Sequence, residues 1–409
     1  MGRKPEWHVL TLVTLALTAF GIVMVYSATS ASAVVGGANP MSYLERQGTF
    51  AVLGVAGLIF ASRWKYTRLR PLAPTLVAVA LIACAAVLVV AHPVNGARRW
   101  VSFGPLTVQP SELAKLAFTI WLAAHLARRK PPESLKELWR PIGLLLGGFL
   151  LVILLEPDLG TAITLTVMVA AVLFVSGTRL RVLGGGFALL CIGGLLMVLT
   201  RAYMRARLFS FLDPWQDPQG SGFQIVQAQI GLGSGHLVGD GLGQGVQKIH
   251  FLPEAHTDMI FAVIGEELGL LGTASLIFAY VLFAWAGLKT ALECRDPFGK
   301  RLAAGLTALV CGQAAINLAA VLGLAPLTGI PLPFVSYGGS SLVVELAAVG
   351  ILLNIAASGA REAAEVPDRS RGNGRTRAAG AGGRGRVAEA RRPRDVRRVA
   401  GSRRSAARS

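Results

Sequence analysis

Apolar stretches long enough to cross a lipid bilayer recur along most of this chain, and a soluble fold has no place for so many. A hydrocarbon core of about 30 Å calls for about 20 helical residues. Ten stretches meet or approach that length: 8–28, 47–62, 72–91, 110–127, 141–156, 159–176, 182–200, 258–288, 302–323 and 337–358. Only 15% of the 409 residues are charged, where a soluble domain carries about a quarter. Backbone groups in lipid must pair within their own segment, so each stretch is read as a helix. The expected fold is an all-α integral membrane protein with ten transmembrane helices. A first apolar run of this length, lacking a small-residue cleavage site, argues against a cleaved signal peptide.

The charges orient these helices. Lys and Arg gather at the N-terminus, in 63–70, 128–140, 179–181 and 289–301, and in the tail. By the positive-inside rule these segments face the cytoplasm. The alternate set, 29–46, 92–109, 157–158, 201–257 and 324–336, is poorer in cations for its length and becomes the outer side. Both termini are then cytoplasmic. Residues 361–409 hold fifteen arginines and five acidic residues of a chain whose net charge is +18. That tail has few large apolar residues and is expected to be disordered. The division is therefore a membrane domain, 1–358, and a basic tail, 359–409. Anionic lipid is the tail's expected partner, each arginine near the surface adding about 1 kcal/mol; a protein partner is the alternative. No nucleic-acid-binding module accompanies the charge, so nucleic acid is not expected. Cys84, Cys191, Cys294 and Cys311 have neither metal-ligand spacing nor a disulfide pattern.

The large outer loop between spans seven and eight, 201–257, has aromatic and apolar residues and paired turn signals, which favour order and function over a passive linker. Its glycine run, Gly231 to Gly243, resembles a phosphate cradle, but no P-loop lysine follows. Tight turns and close packing are the better use for it.

The ionisable residues collect on the outer side. The stretch from Gln247 to Glu267 brings together two histidines, a lysine and four carboxylates. As one helix, 258–288 would be about 46 Å long, more than the membrane requires. Asp258 then lies about 12 Å beyond Glu266 and Glu267, at the depth of lipid phosphates, unless Gly265 or Gly269 bends the helix. Thr257 and Asp258 also suit a helix N-terminus, as cap and first-turn acid. Glu112 and Lys115 share a helix face at i,i+3, and near the membrane such a pair must neutralise itself or face a cavity. Glu156 and Asp158 flank Pro157. Arg98 and Arg99 stand outside against the positive-inside trend, which asks for an anionic partner such as a phosphate; Trp100 beside them suits interfacial anchoring equally well. Residues 329–341, with two prolines and several glycines and serines including Ser336, suggest irregular backbone lining a cavity.

Gly96-Ala-Arg-Arg-Trp100, Gln109-Pro-Ser-Glu112-Leu-Ala-Lys115, Glu156-Pro-Asp158-Leu-Gly-Thr161, Pro253-Glu-Ala-His-Thr-Asp258 and Pro331-Leu-Pro-Phe-Val-Ser-Tyr-Gly-Gly-Ser-Ser341 resemble, in order, the motifs of the SEDS family of bacterial membrane proteins. The resemblance covers about 3–358 and leaves out the tail. It implies a ten-helix peptidoglycan glycosyltransferase of the bacterial cytoplasmic membrane, which polymerises lipid II at the outer face. Lipid II is an undecaprenyl-diphosphate-linked disaccharide-pentapeptide. The resemblance maps the proposed catalytic aspartate onto Asp258, and onto Arg99, Trp100, Glu112, Lys115, Glu156 and Asp158 further motif positions. Residues 94–100 and the long tail look like the family's division branch, whereas 329–334 are equally at home in its elongation branch. A class B penicillin-binding transpeptidase and, for the division branch, divisome proteins are the implied partners.

That chemistry assigns roles. Polymerisation with inversion needs in-line attack by an N-acetylglucosamine 4-hydroxyl, and the hydroxyl needs a base; Asp258 is the choice. The departing diphosphate needs positive charge, for which Lys248, Arg205, Arg207, His256 and Arg99 are candidates, with Trp100 beside them. Glu112, Lys115, Glu156, Asp158, Ser336 and Tyr337 would support the site. Mg2+ or Mn2+ suits a diphosphate, although no metal motif is present, and no organic cofactor is expected. A lipid II flippase is the competing class, but it predicts essential charges near the bilayer midplane, and the spans look nearly charge-free there. A scaffold for the transpeptidase is a third reading, compatible with catalysis.

Overall fold

The computed structural model describes residues 4–35, 39, 41–91, 98–103, 106–200, 202–249 and 252–365. The tail beyond 365 lies outside the described residues, and with it the expectations of disorder and lipid contact. The rest is mostly helical. The elements are α1 (Pro5–Val35), α2 (Met41–Arg63), α3 (Leu69–Val90), β1 (Val101–Phe103), β2 (Leu106–Val108), α4 (Pro110–Arg128), α5 (Leu135–Leu138), α6 (Leu144–Leu155), α7 (Leu159–Val175), α8 (Leu180–Thr200), α9 (Ala202–Leu212), α10 (Phe223–Ser234), α11 (Ile260–Glu293), α12 (Pro297–Val321) and α13 (Gly339–Glu365). Among the described residues, seven helical stretches are long and apolar enough to cross a membrane. Parts of α7 and α8, Leu159–Val175 and Leu180–Leu196, are shorter apolar helices. The chain is a multi-pass membrane protein.

Helix α12 is the centre of the bundle, with α4, α7 and α11 packed around it. Small residues make this possible, because lipid supplies no hydrophobic drive between helices and close backbone approach must replace it. A Cβ on Gly305 would stand 2.6 Å from Thr119 Cγ2 and 2.8 Å from Val172 Cγ2; one on Gly287 would stand 2.2 Å from Thr307 Oγ1. Helix α8 carries the opposite pattern, with Leu180, Phe187, Ile192 and Leu196 all exposed, as suits a lipid-facing surface.

Two elements differ from the sequence expectations. The segment 98–109 contains a β-hairpin in a chain expected to be all-α, with Val101 opposite Val108 and Ser102 opposite Thr107. Short apolar–polar alternation on both arms accounts for it. The second is in α11, where the bend that the sequence leaves open at Gly265 or Gly269 is taken at Gly269. Gly269 breaks that helix with φ +63° and ψ −159°. A Cβ there would lie 2.5 Å from Gly239 N, so only glycine fits. The break splits α11 into 260–268 and a following piece of about 36 Å, close to a bilayer thickness. The first piece does not rise out of the protein: Ile260, Phe261, Val263, Ile264 and Glu267 are all buried.

The glycine run closes over that break. Asp240 N and Gly241 N donate to the carbonyls of Glu266 and Glu267, and Leu270 N and Leu271 N donate to those of His236 and Leu237. Helix carbonyls and amides freed by the break are thus satisfied by the loop. Gly235 and Gly239 permit the approach, since a Cβ on either would run into the backbone at 265–267.

Candidate functional site

A cavity of about 1120 Å³ is bounded by the hairpin, the ends of α3, α6 and α7, the turn before α11 and the loop before α13. Asp258 lines it, as do Arg207, His256, Arg99, Trp100, Glu112, Asp158 and Tyr337. Residues separated by up to 238 positions in the chain therefore meet at one place, as their common outer position suggested.

Asp258 sits in the turn before α11. The helix N-cap is Met259, without a side-chain cap bond. The capping roles open to Thr257 and Asp258 in the sequence are therefore not taken. Asp258 is held through its backbone instead: Asn317 Nδ2 on α12 donates to the Asp258 carbonyl at 2.8 Å and to the Ile330 carbonyl at 2.9 Å. Burial pushes the Asp258 carboxyl up to about 6, the Glu254 carboxylate adds to the rise, and the Arg207 guanidinium opposes it. Thr257 Oγ1 lies 3.1 Å from Glu254 Oε2 and 3.3 Å from Asp258 Oδ1, so the two carboxylates flank one hydroxyl. A carboxylate whose pKa lies just below neutral pH is what a general base requires.

Arg207 reaches the same corner. It donates to the Leu327 carbonyl at 3.0 Å. A Cβ built on Gly329 would be 3.9 Å from both Arg207 Nη1 and Asp258 Oδ2, and Gly329 itself has φ +71°. The absence of a side chain there leaves the carboxylate and the guanidinium facing open space.

Arg98 and Arg99 find backbone rather than an anion. Arg98 donates to the Leu88 carbonyl at 3.0 Å, near the end of α3. Arg99 Nε donates to the Glu156 carbonyl at 2.9 Å, and its Nη2 donates to the Pro157 carbonyl. These cations complete helix ends whose last carbonyls lack partners. Arg99 still lines the cavity. Asp158 caps α7, accepting from Thr161 N at 3.0 Å and Thr161 Oγ1 at 2.8 Å, and ties in Gln109 at 3.0 Å. Glu156 is fully buried behind it; burial, and then the nearby Asp158 charge, push its carboxyl up to about 8.

Below the cavity, Lys115 Nζ pairs with Glu112 Oε2 at 2.8 Å and donates to Gln313 Oε1 at 2.6 Å. Gln313 Nε2 donates onward to Glu345 Oε1 at 3.0 Å, and Glu345 Oε2 accepts from Phe334 N at 3.1 Å. Glu345, Gln313 and Asn317 were not singled out in the sequence. The signal was there: a lone acid inside the tenth apolar stretch, and two amides at i,i+4 inside the ninth. The spans are thus less free of charge than their composition suggested. Ser336 accepts from Leu332 N at 2.8 Å and its carbonyl accepts from Gln47 Nε2 at 3.2 Å; Tyr337 N donates to the His256 carbonyl at 2.9 Å. The irregular loop is thereby fixed to α2 and to the turn carrying Asp258. Tyr43, Arg46 and Glu254 also line the cavity.

Two diphosphate candidates lie elsewhere. Lys248 is enclosed, with Nζ 2.6 Å from Glu267 Oε1 and 3.2 Å from Ser27 Oγ. Glu267 in turn accepts from Ser27, while Glu266 accepts from Val246 N at 2.7 Å. Lys248 is an anchor for the outer loop, because a lysine in reach of a buried carboxylate lowers its energy by pairing there. Arg205 is exposed and is not part of the cavity wall. His256 does face the cavity, but burial lowers its imidazole below the ordinary value, with Glu254 opposing. It is a neutral ring rather than a cation for phosphate.

Comparison with known proteins agrees with these motifs. The cell cycle protein family that spans FtsW, RodA and SpoVE matches residues 7–361. The probable peptidoglycan glycosyltransferase FtsW of Geobacter metallireducens is 41% identical over 352 residues, covering 85% of this chain and 93% of that one. The protein of the same description from Thioalkalivibrio sulfidiphilus is 42% identical over 358 residues, covering 85% and 88%. Among solved structures, a chain of a peptidoglycan synthase complex that coordinates polymerization and crosslinking superposes with a TM-score of 0.70 at 32% identity, covering 86% of this chain and 97% of that one. The rod shape determining protein RodA of Thermus thermophilus gives 0.62 at 29%, covering 85% and 95%. By sequence along most of its length, this chain belongs to the FtsW, RodA and SpoVE family of cell cycle proteins, the SEDS family.

Proposed function

We propose that the protein is a peptidoglycan glycosyltransferase that polymerises lipid II at the outer face of the cytoplasmic membrane, in septal synthesis during division. The observation that carries this is Asp258: a buried carboxyl pushed up to about 6, on the wall of a cavity of about 1120 Å³ that also holds Arg207. The relatives named FtsW support the division assignment. The bundle is read as ten spans, with both termini cytoplasmic and residues 201–257 outside.

In this reading Asp258 accepts the proton of the attacking N-acetylglucosamine 4-hydroxyl. Its raised pKa makes it a stronger base than an exposed aspartate while leaving it ionised at neutral pH. Asn317 fixes its backbone, so little reorganisation accompanies attack. Arg207, with Arg46 and Arg99 on the same walls, supplies positive charge toward the departing diphosphate. Glu112 and Lys115 neutralise each other beneath the site, so their burial leaves no net charge to repel the diphosphate. Among the described residues no group of three His, Cys, Asp or Glu side chains could hold a metal. Glu254, a carboxylate on the cavity wall, would hold Mg2+ or Mn2+ together with the substrate's diphosphate; a cation there would supply further charge neutralisation.

A class B penicillin-binding transpeptidase is the proposed partner. The test is to give the purified full-length protein and such a partner lipid II in detergent, and to reconstitute the same protein in vesicles with fluorescent lipid II. Glycan strands without lipid translocation are expected. Translocation without polymer would replace this reading with a flippase.

A further inference from the structure

Three rings from distant parts of the chain meet on the cavity wall. Tyr43 lies in the first turn of α2, His256 in the turn before α11, and Tyr337 in the loop before α13. Ring centroids are 5.0 Å apart for Tyr43–His256, 5.4 Å for Tyr43–Tyr337 and 5.4 Å for His256–Tyr337, with interplanar angles of 70°, 72° and 53°. The two Tyr43 contacts are edge-to-face, the geometry favourable for aromatic quadrupoles, and the His256–Tyr337 contact is tilted. The cluster is pinned as well as packed. Tyr337 N donates to the His256 carbonyl at 2.9 Å, and Gln47 on α2 holds the Ser336 carbonyl at 3.2 Å.

These rings are not core. Each is partly exposed, and all three line the cavity that holds Asp258. A buried aromatic contact in the same bundle, Phe283 against Phe334, shows the contrast: both rings are fully enclosed. Among the described residues neither phenol hydroxyl of Tyr43 or Tyr337 has a hydrogen-bond partner. The result is an aromatic surface with two free hydroxyls, two residues in sequence from the carboxylate.

We infer that Tyr43, His256 and Tyr337 form a saccharide platform that receives the N-acetylglucosamine ring whose 4-hydroxyl attacks, and sets it against Asp258. The inference rests on the glycosyltransferase reading above. A β-linked N-acetylglucosamine has three axial C–H groups, at C1, C3 and C5, on one face. That apolar, slightly positive face suits the negative face of an aromatic ring. A diphosphate does not, and the cavity has its guanidinium groups, Arg46, Arg99 and Arg207, for that part of the substrate. The phenol hydroxyls are placed to bond the sugar's equatorial hydroxyls or acetamide. Tyr43 and Arg46, at i,i+3 on α2, share one helix face, so sugar and phosphate contacts alternate along it.

The test has two arms, both with the full-length protein. In the first, polymerisation of lipid II is followed with the transpeptidase partner present. Tyr43→Leu should raise the half-saturating lipid II concentration roughly tenfold, the worth of about one lost ring contact. Tyr43→Phe should restore most of the affinity, which a merely polar role would not allow. In the second arm, saturation-transfer NMR is recorded on chitotetraose, which has no diphosphate and no lipid. Transfer to H1, H3 and H5 is expected with wild type and Tyr43→Phe, and its loss with Tyr43→Leu. Equal half-saturation and equal transfer in Tyr43→Leu would overturn the platform while wild-type polymerisation leaves the enzyme reading intact. Should Tyr43→Leu fail to fold, absence of transfer to wild type overturns it on its own. Transfer to a wild type that makes no polymer would support the saccharide site and contradict the polymerase.

Discussion

Asn317 holds Asp258 by its backbone, not by its carboxylate: the amide donates to the Asp258 carbonyl at 2.8 Å and to the Ile330 carbonyl at 2.9 Å. One side chain on the central helix therefore fixes both the turn that carries the proposed base and the loop opposite it. Asn317→Leu leaves two buried carbonyls without a donor, which costs about 1–3 kcal/mol each. We expect polymerisation to fall at least tenfold with the pH midpoint of the rate unchanged, because the carboxylate's own contacts remain. Initial rates against pH measure both.

The position of Asp258 gives activity a defined pH dependence. Its carboxyl is pushed up to about 6 by burial, against the pull of Arg207. A base must be ionised, so the rate should rise from pH 5 to pH 7 with a midpoint near 6. Removing the opposing cation with Arg207→Gln moves the midpoint up. Glu254→Gln, which removes a like charge, moves it down. A rate profile for each variant checks the two directions.

The same shift makes Asp258 a cost to the fold. Its folded pKa lies above the unfolded one, so the folded state binds more protons between about pH 4 and pH 6, and stability falls as pH rises through that window. Above it the charged form costs about 3 kcal/mol. Asp258→Asn should therefore raise the melting temperature at pH 7.5 while abolishing polymerisation, and the gain should shrink toward pH 4. Thermal unfolding in detergent at the two pH values measures this.

Lys248 and Glu267 form a fully enclosed pair at 2.6 Å. Removing one partner leaves the other charged and buried, about 3–5 kcal/mol. Lys248→Met should thus be severely destabilised, and Lys248→Met with Glu267→Leu should recover most of the loss. If Lys248 anchors the outer loop and does not touch diphosphate, the double variant keeps its half-saturating lipid II concentration. Unfolding and lipid II titration of the two variants separate anchor from ligand.

The sequence announced the bundle because apolar length and loop charge are one-dimensional signals. Glu112, Asp158, Tyr337 and Asp258 could be grouped because each stands near a helix end on the outer side of the expected topology, and Arg207 because it lies in the outer loop. Which of them faces open space was not legible, since pairing depends on what folds back onto them. Lys248 and Arg207 look alike in the chain; one meets Glu267 inside the protein, the other reaches the cavity. Gly269 was visible as a possible bend, but its left-handed conformation is decided by Gly239 arriving from 30 positions away. Glu345 stands alone in its apolar stretch because its partners, Gln313 and Phe334 N, lie in other segments. Tyr43 is an ordinary residue until His256 and Tyr337 are placed beside it.

The most direct test of the central claim is lipid II polymerisation by Asp258→Asn alongside wild type, with the transpeptidase partner present, at pH 7.5. Glycan strands should form with wild type and be absent with the variant, which still binds lipid II and unfolds at or above the wild-type temperature. Strands made by the folded variant at the wild-type rate would contradict the assignment of Asp258 as the base.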